Sequence, residues 1–315
     1  MREVGPAVAD ARRMLRTIPF VVALSSVAYA ADSSFPAEAP PASPPAPVVG
    51  GTAVPPGMWP DAVAVLAPTA ACTGTLVAPD VVLTAGHCIE TNPRVVVVDT
   101  IDYAQPGGEV IAVASAHAYP QWETHYDVGV LVLAHPAKTK PRAIAAACTA
   151  AKLVDRARVE VVGFGLTTQA GTGDNSRLHQ AAIAVTDAHC TTSEACAPAI
   201  APDGEFAAGG GGTDACFGDS GGPIYLGDAL IGVVSRGLSD AGAPCGGGGI
   251  YVRADKVVDW IERVTGRKLA RATCGGAADG EDALGGGGCD AAGGASLLTV
   301  GVVLLLIFAR RRKIV

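Results

Sequence analysis

The middle of this chain is a succession of short apolar runs, each closed by Gly, Pro, Asp or Asn. They are Ala62–Leu66, Gly74–Val77, Val81–Ala85, Val95–Val98, Glu109–Ala114, Val128–Leu133, Val159–Phe164, Pro223–Tyr225, Ile231–Val234 and Gly249–Val252. Runs of this length between turn residues read as β-strands. Many short strands with few helical patterns predict an all-β sandwich or barrels rather than a bundle or an alternating α/β fold. One helix is predicted over Asp255–Thr265, where Val257, Val258, Ile261 and Val264 make a single apolar stripe. No segment recurs at a fixed period.

Composition narrows the function classes. With 315 residues, 49% hydrophobic and 17% charged, the chain can bury a substantial core and is not a disordered polymer. A net charge of −7 argues against a nucleic-acid partner gripped by a basic surface. Nine cysteines point to an oxidising compartment.

Both ends place the domain outside a membrane. Residues 1–30 read as a signal peptide: Arg12, Arg13 and Arg16 precede the apolar Ile18–Leu24, and Ala28-Tyr29-Ala30 offers a cut after Ala30. Residues 31–47 are an Ala/Pro-rich pro-segment that cannot pack a core. Residues 273–290 form a Gly- and acid-rich tether. The uncharged span 291–309, roughly 28 Å long as a helix, is expected to cross a membrane. Arg310, Arg311, Arg312 and Lys313 in the tail 310–315 are expected to stay cytoplasmic. The protein is therefore expected at the cell surface or secreted, membrane-anchored by this tail. Cysteine, apolar span and basic cluster in this order resemble the C-terminal sorting tails of myxobacterial-type surface proteins.

Three stretches carry chemistry: Thr84-Ala85-Gly86-His87-Cys88, Asp127 before an apolar strand, and Gly218-Asp219-Ser220-Gly221-Gly222-Pro223. A serine hydroxyl is a weak nucleophile and needs an adjacent base. His87 is the candidate base, Asp127 the acid that orients it, and Ser220 the nucleophile. Glycines around Ser220 allow the N–H groups of Gly218 and Ser220 to converge as an oxyanion hole. His117, His125, His135, His179 and His189 read as ordinary surface or structural residues. No spacing suggests a metal site, and no cofactor is expected.

With these motifs in the order His, Asp, Ser, the chain resembles the chymotrypsin-like (trypsin-type) serine proteases over about residues 48–266. The resemblance implies two antiparallel β-barrels with the active site between them and a C-terminal helix, in a peptidase domain over 48–272. It implies hydrolysis of protein or peptide substrates through an acyl-enzyme. Asp214, six positions before Ser220, matches the acid at the base of the primary pocket and implies cleavage after Arg or Lys. Gly237 and Gly249 match the glycines that keep that pocket open, and Ser235-Arg236-Gly237 the strand that holds substrate backbone. Arg236 stands where many members have Trp. Its guanidinium is expected to favour acidic residues at P2 or P4.

The same resemblance makes Val48-Val49-Gly50-Gly51 the mature N-terminus, with the freed amino group of Val48 pairing with Asp219. Pro47 precedes it where the family usually has Arg or Lys. A separate activating protease is therefore expected. Cys72–Cys88 and Cys216–Cys245 match family disulfides, and Cys190 with Cys196 would close a local loop. Cys148–Cys274 is the expected fourth pair, leaving Cys289 over; Cys274–Cys289 is the alternative, and sequence leaves the connectivity open. The competing functional reading is a catalytically silent binding module, or an unactivated zymogen, on a protease fold. A lipase or esterase is disfavoured because there Gly-x-Ser-x-Gly is expected on an α/β pattern, which this chain does not show.

Overall fold

The computed structural model describes residues 48–238 and 242–273. The expected signal peptide, pro-segment, membrane span and basic tail, and the tether beyond Thr273, lie outside the described residues. Among the described residues no helix is long and apolar enough to cross a membrane.

Two antiparallel β-barrels form the frame of the described residues. A two-residue β1 (Thr52–Ala53) precedes the first barrel, made of β2 (Ala62–Leu66), β3 (Ala71–Ala78), β4 (Val81–Thr84), β5 (Val95–Val98), β6 (Glu109–Ala118) and β7 (Gly129–Leu133). It closes in the order β2-β3-β4-β7-β6-β5. The second contains β8 (Arg158–Gly163), β9 (His179–Asp187), β10 (Glu205–Ala208), β11 (Pro223–Leu226), β12 (Ala229–Gly237) and β13 (Gly249–Arg253). Its order is β9-β10-β13-β12-β11-β8, closed by pairing of β8 with β9, and β1 adds to β9. Short helices α1 (Gly86–Glu90) and α2 (Ala147–Ala150) sit in loops. The predicted helix over Asp255–Thr265 divides into a 3₁₀ turn, Ala254–Lys256, and α3 (Val258–Thr265). Gly266 ends α3 in the left-handed region at φ +68°, where glycine has no Cβ penalty.

Most of the valine- and alanine-rich strands are continuous apolar runs because both faces are buried; β6 is the exception, with only Ile111 buried. In β2, Val63 and Val65 point into the first barrel with Leu76, Val82, Val96, Ile111 and Leu131. Ala62 and Ala64 point the other way, into a layer shared with Val162, Phe164, Leu178, Tyr225, Val233 and Ile261 of the second half. The second barrel has its own interior, including Val161, Ile183, Phe206, Ile224, Ile231 and Tyr251. Strand alternation thus yields three apolar layers from two barrels.

One buried polar cluster also bridges the halves. Arg142 donates from Nε to Asp61 Oδ2 at 2.9 Å and Tyr225 Oη donates to the same oxygen at 2.7 Å. The Arg142 guanidinium lies over the Trp59 and Tyr225 rings, 5.3 and 4.8 Å from their centres. The buried carboxylate is thereby both paired and hydrogen-bonded, the condition under which burial of charge is tolerated.

Leu131 is wholly buried in the first-barrel interior. Leu131→Ala should therefore lower stability by about 2–5 kcal/mol, lost transfer energy plus a cavity. Urea unfolding of the variant beside the parent reads this as a lower midpoint at unchanged slope.

Candidate active site

His87 is placed by the end of β4. Ala85 is extended, and the chain then turns into α1, so His87 falls in the first turn of a five-residue helix. A Cβ on Gly86 would come 2.7 Å from the Trp122 side chain, so the indole packs against the turn. Asp127 precedes β7. Its Oδ2 lies 2.8 Å from His87 Nδ1, and its Oδ1 accepts the His87 backbone N–H at 3.0 Å. Two bonds to one carboxylate fix both the ring and the turn that carries it. Burial pushes the Asp127 carboxyl up, but the hydrogen bonds and charge of His87 outweigh this and hold it below its ordinary value.

Asp127 has a third partner that sequence reading assigned elsewhere. Ser235 Oγ donates to Asp127 Oδ2 at 2.8 Å. In the pairing of β12 with β13, Val234 stands opposite Tyr251 and Arg236 opposite Ile250, so Ser235 is the extra residue of a bulge. Such bulges re-aim a side chain. Here the hydroxyl is turned to the carboxylate, while the strand itself lines the cleft.

Ser220 comes from the second barrel. Its loop is fastened to the first barrel through Thr73. The Thr73 N–H donates to the Ser220 carbonyl at 2.9 Å, and Thr73 Oγ1 donates to the Gly218 carbonyl at 2.8 Å. Gly221 has φ +79°, and a Cβ there would lie 2.0 Å from Thr84 Oγ1 and 2.5 Å from the Thr73 carbonyl. Only glycine permits that approach. Gly218 adopts φ +100°. The N–H groups of Gly218 and Ser220 take no acceptor among the described residues, while that of Asp219 is bound to the Cys216 carbonyl at 3.0 Å.

His87, Asp127 and Ser220 all line one cleft of about 980 Å³ between the barrels. The structure shows no hydrogen bond from Ser220 Oγ to His87. A hydroxyl, an imidazole held by a carboxylate and two unused N–H groups together can support nucleophilic acyl transfer.

Asp214 does not itself line the cleft; its chain neighbour Ala215 does. Asp214 is wholly buried. Its Oδ1 accepts from Tyr251 Oη at 3.0 Å and from the Ala215 N–H at 2.6 Å. Its Oδ2 has no partner among the described residues. Burial pushes this carboxyl up to about 6, against the Tyr251 hydroxyl and the N–H groups of Ala215, Gly248 and Gly246, which favour the charged form. A Cβ on Gly249 would come within 3.2 Å of Oδ1, whereas one on Gly237 would meet nothing within 4 Å. Asp219 is also wholly buried. Among the described residues its oxygens accept only from the N–H groups of Gly165 and Cys216, each at 2.8 Å. Burial pushes it up to about 7. Val48 is wholly buried too, and the Asp214 N–H donates to the Val49 carbonyl at 3.0 Å. The Val48–Gly51 segment is thus laid beside the Asp214 loop.

Three disulfides have both cysteines among the described residues: Cys72–Cys88, Cys190–Cys196 and Cys216–Cys245. Cys148 is also disulfide-bonded, and Cys274, its expected partner, lies outside the described residues. Two groups bring metal-ligating atom types together, Cys72–His87–Cys88 and Cys190–Cys196–Glu205. In both, the cysteines are spent in disulfides and offer no thiolate.

The expected role of Arg236 is corrected. Its Nη1 and Nη2 bind Glu205 Oε1 and Oε2 at 2.7 and 2.9 Å, and its Nε and Nη2 reach the Ala195 carbonyl at 3.1 and 2.6 Å. The guanidinium is saturated by a bidentate partner that is itself wholly buried. It is not a free cation for acidic substrate residues. Glu205 escaped sequence reading because its partner stands 31 positions away. The one available signal was an acid opening the apolar Phe206-Ala207-Ala208.

The Trypsin family matches residues 48–261. The chain is similar to "Trypsin" of Saccharopolyspora erythraea, 33% identical over 202 residues, covering 60% of this chain and 84% of that protein. It is similar also to "Trypsin 5G1" of Aedes aegypti, 31% identical over 214 residues, covering 62% and 75% respectively.

The raised Asp219 carboxyl has a consequence for stability. Between its unfolded value near 4 and about 7, the folded chain binds the extra proton. Stability should therefore fall as pH rises through that window, by on the order of a few kcal/mol. Asp219→Asn, which has no such proton, should show the shallower decline when urea midpoints are compared from pH 4 to pH 8. Parallel declines would show that Asp219 does not titrate there.

Proposed function

The chain belongs to the trypsin family, and from that premise we propose that it is an exported serine endopeptidase cleaving after Arg or Lys. The observation that carries the reading is the His87–Asp127 pair in the same cleft as Ser220. His87 removes the Ser220 proton as the hydroxyl attacks the scissile carbonyl. Asp127, held also by Ser235, keeps the imidazole oriented and stabilises it once protonated. The free N–H groups of Gly218 and Ser220 receive the oxyanion. The acyl-enzyme then forms as the amine leaves with the proton from His87, and water repeats the sequence to release the acid.

Asp214 supplies the P1 choice. A substrate guanidinium or ammonium would give the unpartnered Oδ2 its missing partner and favour the ionised carboxylate. Activation follows the same electrostatic logic. Cleavage before Val48 by another protease would create an ammonium, and Asp219 is a buried carboxylate with only two N–H donors. Pro47 does not fit a pocket built on Asp214, so this cut is not self-made. The disulfides support export, and the apolar span followed by basic residues supports anchoring in a membrane.

Ser220→Ala should lower kcat by on the order of 10⁶ while the fold persists. Active-site titration and turnover of the processed chain check this; unchanged turnover in a contaminant-free preparation would sink the assignment. Asp214→Ser should lose on the order of 10³ in kcat/KM on Arg and Lys substrates, because the substrate cation is then buried without its partner. A P1 profile of the parent dominated by Phe, Leu or Ala would refute the pocket.

A further inference from the structure

Five side chains that can carry charge line the cleft: His87, Glu123, His125, Asp127 and Arg236. His87 and Asp127 are tied to one another. His125 Nδ1 lies 3.0 Å from Thr124 Oγ1. Arg236 is matched charge for charge by Glu205. Glu123 is different. It is exposed, and among the described residues its carboxylate enters no ion pair or hydrogen bond. Ala195, Ala197, Pro198 and Ala199, which line the same cleft, carry no charge.

The backbone under Glu123 is well held. The N–H groups of Thr124 and His125 both donate to the Gln121 carbonyl at 3.0 Å. Trp122 packs against Gly86 and lies with its ring centre 6.2 Å from that of His87. The carboxylate is therefore presented at the cleft edge by an anchored turn, with its charge uncompensated.

We propose that Glu123 is a specificity residue that selects a Lys or Arg side chain at one of the positions P2 to P4, N-terminal to the scissile bond. The inference rests on the peptidase reading above. It reverses the sign expected from Arg236, whose charge Glu205 cancels before substrate arrives. Freeing Arg236 for an acidic side chain would strand the buried Glu205 carboxylate, which is strongly unfavourable. A basic side chain near Glu123 displaces no existing partner. Because Glu123 is solvated, the attraction is modest and salt-sensitive.

The test uses the full-length chain carrying Pro47→Lys, cut before Val48 by a lysine-specific protease that is then removed. Fluorogenic peptides hold Arg at P1 and vary P2 to P4. Lys or Arg should exceed Gln by roughly two- to five-fold in kcat/KM at one of these positions. The ratio should approach one in Glu123→Gln and turn towards Asp and Glu in Glu123→Lys. The second arm measures anisotropy of the same peptides bound to the Ser220→Ala chain, which reads the ranking without turnover. A flat or acid-favouring ranking in that arm, or a basic preference that survives Glu123→Gln, overturns the role of Glu123. Cleavage after Arg with flat P2 to P4 overturns this inference alone. A basic ranking in binding with no turnover by the parent overturns the peptidase reading and leaves Glu123 standing.

Discussion

The arrangement depends on one seam, the contact between β3 of the first barrel and the Gly218–Gly222 loop of the second. Thr73 is its pin. Its N–H and hydroxyl bind the Ser220 and Gly218 carbonyls, the same hydroxyl accepts the Phe164 N–H at 3.0 Å, and its carbonyl accepts Thr84 Oγ1 at 2.8 Å. Thr84 lies three residues before His87. The two side chains that must meet in the cleft, His87 and Ser220, are thus referenced to one threonine. The apolar layer between the barrels supplies the driving force for closure, but these directional bonds set the register. This accounts for Gly221, whose place in the motif is a matter of close approach to Thr84 and Thr73 rather than of catalysis.

Much of this was legible in the sequence where local pattern and burial agree. Strands buried on both faces announce themselves as apolar runs, and the ten predicted runs each fall in or beside an observed strand, the largely exposed β6 among them through its Val and Ile content. β9 and β10 were missed for opposite reasons. β9 alternates buried and exposed residues, but three of its nine residues are Ala and it ends on Asp187, a weak strand signal. β10 is wholly buried yet opens with Glu205, which reads as a loop residue until Arg236 is placed beside it. The helix over Asp255–Thr265 was found, but its first turn is 3₁₀. The site motifs were legible because they are short and local. Ser235 bound to Asp127 was not, because a one-residue bulge decides which way that side chain points.

Arg236 shows why a single residue cannot be read for charge. In sequence it is a cation on the strand expected to carry substrate backbone. In the fold it is half of a neutral pair that also grips the Ala195 carbonyl and so fastens the Cys190–Cys196 loop to β12. Glu205 in turn accepts the Ala197 N–H at 2.7 Å. The pair therefore acts as a joint between the cleft floor and the loop that forms one wall.

Asp61, Asp127 and Glu205 are each buried with a cation or an imidazole in contact. Asp214 and Asp219 are buried without one, and both flank the loop that ends at Ser220. An unmatched carboxylate in a dry site is unfavourable, so it persists only where the surrounding fold imposes it. On the proposed reading, the missing charges come from outside the folded domain: a substrate side chain for Asp214, and the chain's own new terminus for Asp219. Each arriving cation relieves a cost that the fold already bears. The segment that carries both acids is held by the Cys216–Cys245 disulfide and by the Thr73 bonds to the Gly218 and Ser220 carbonyls, so the acids cannot swing out to solvent to escape it. Selectivity for a cationic side chain and dependence on N-terminal processing are, in that view, two consequences of the same electrostatic deficit.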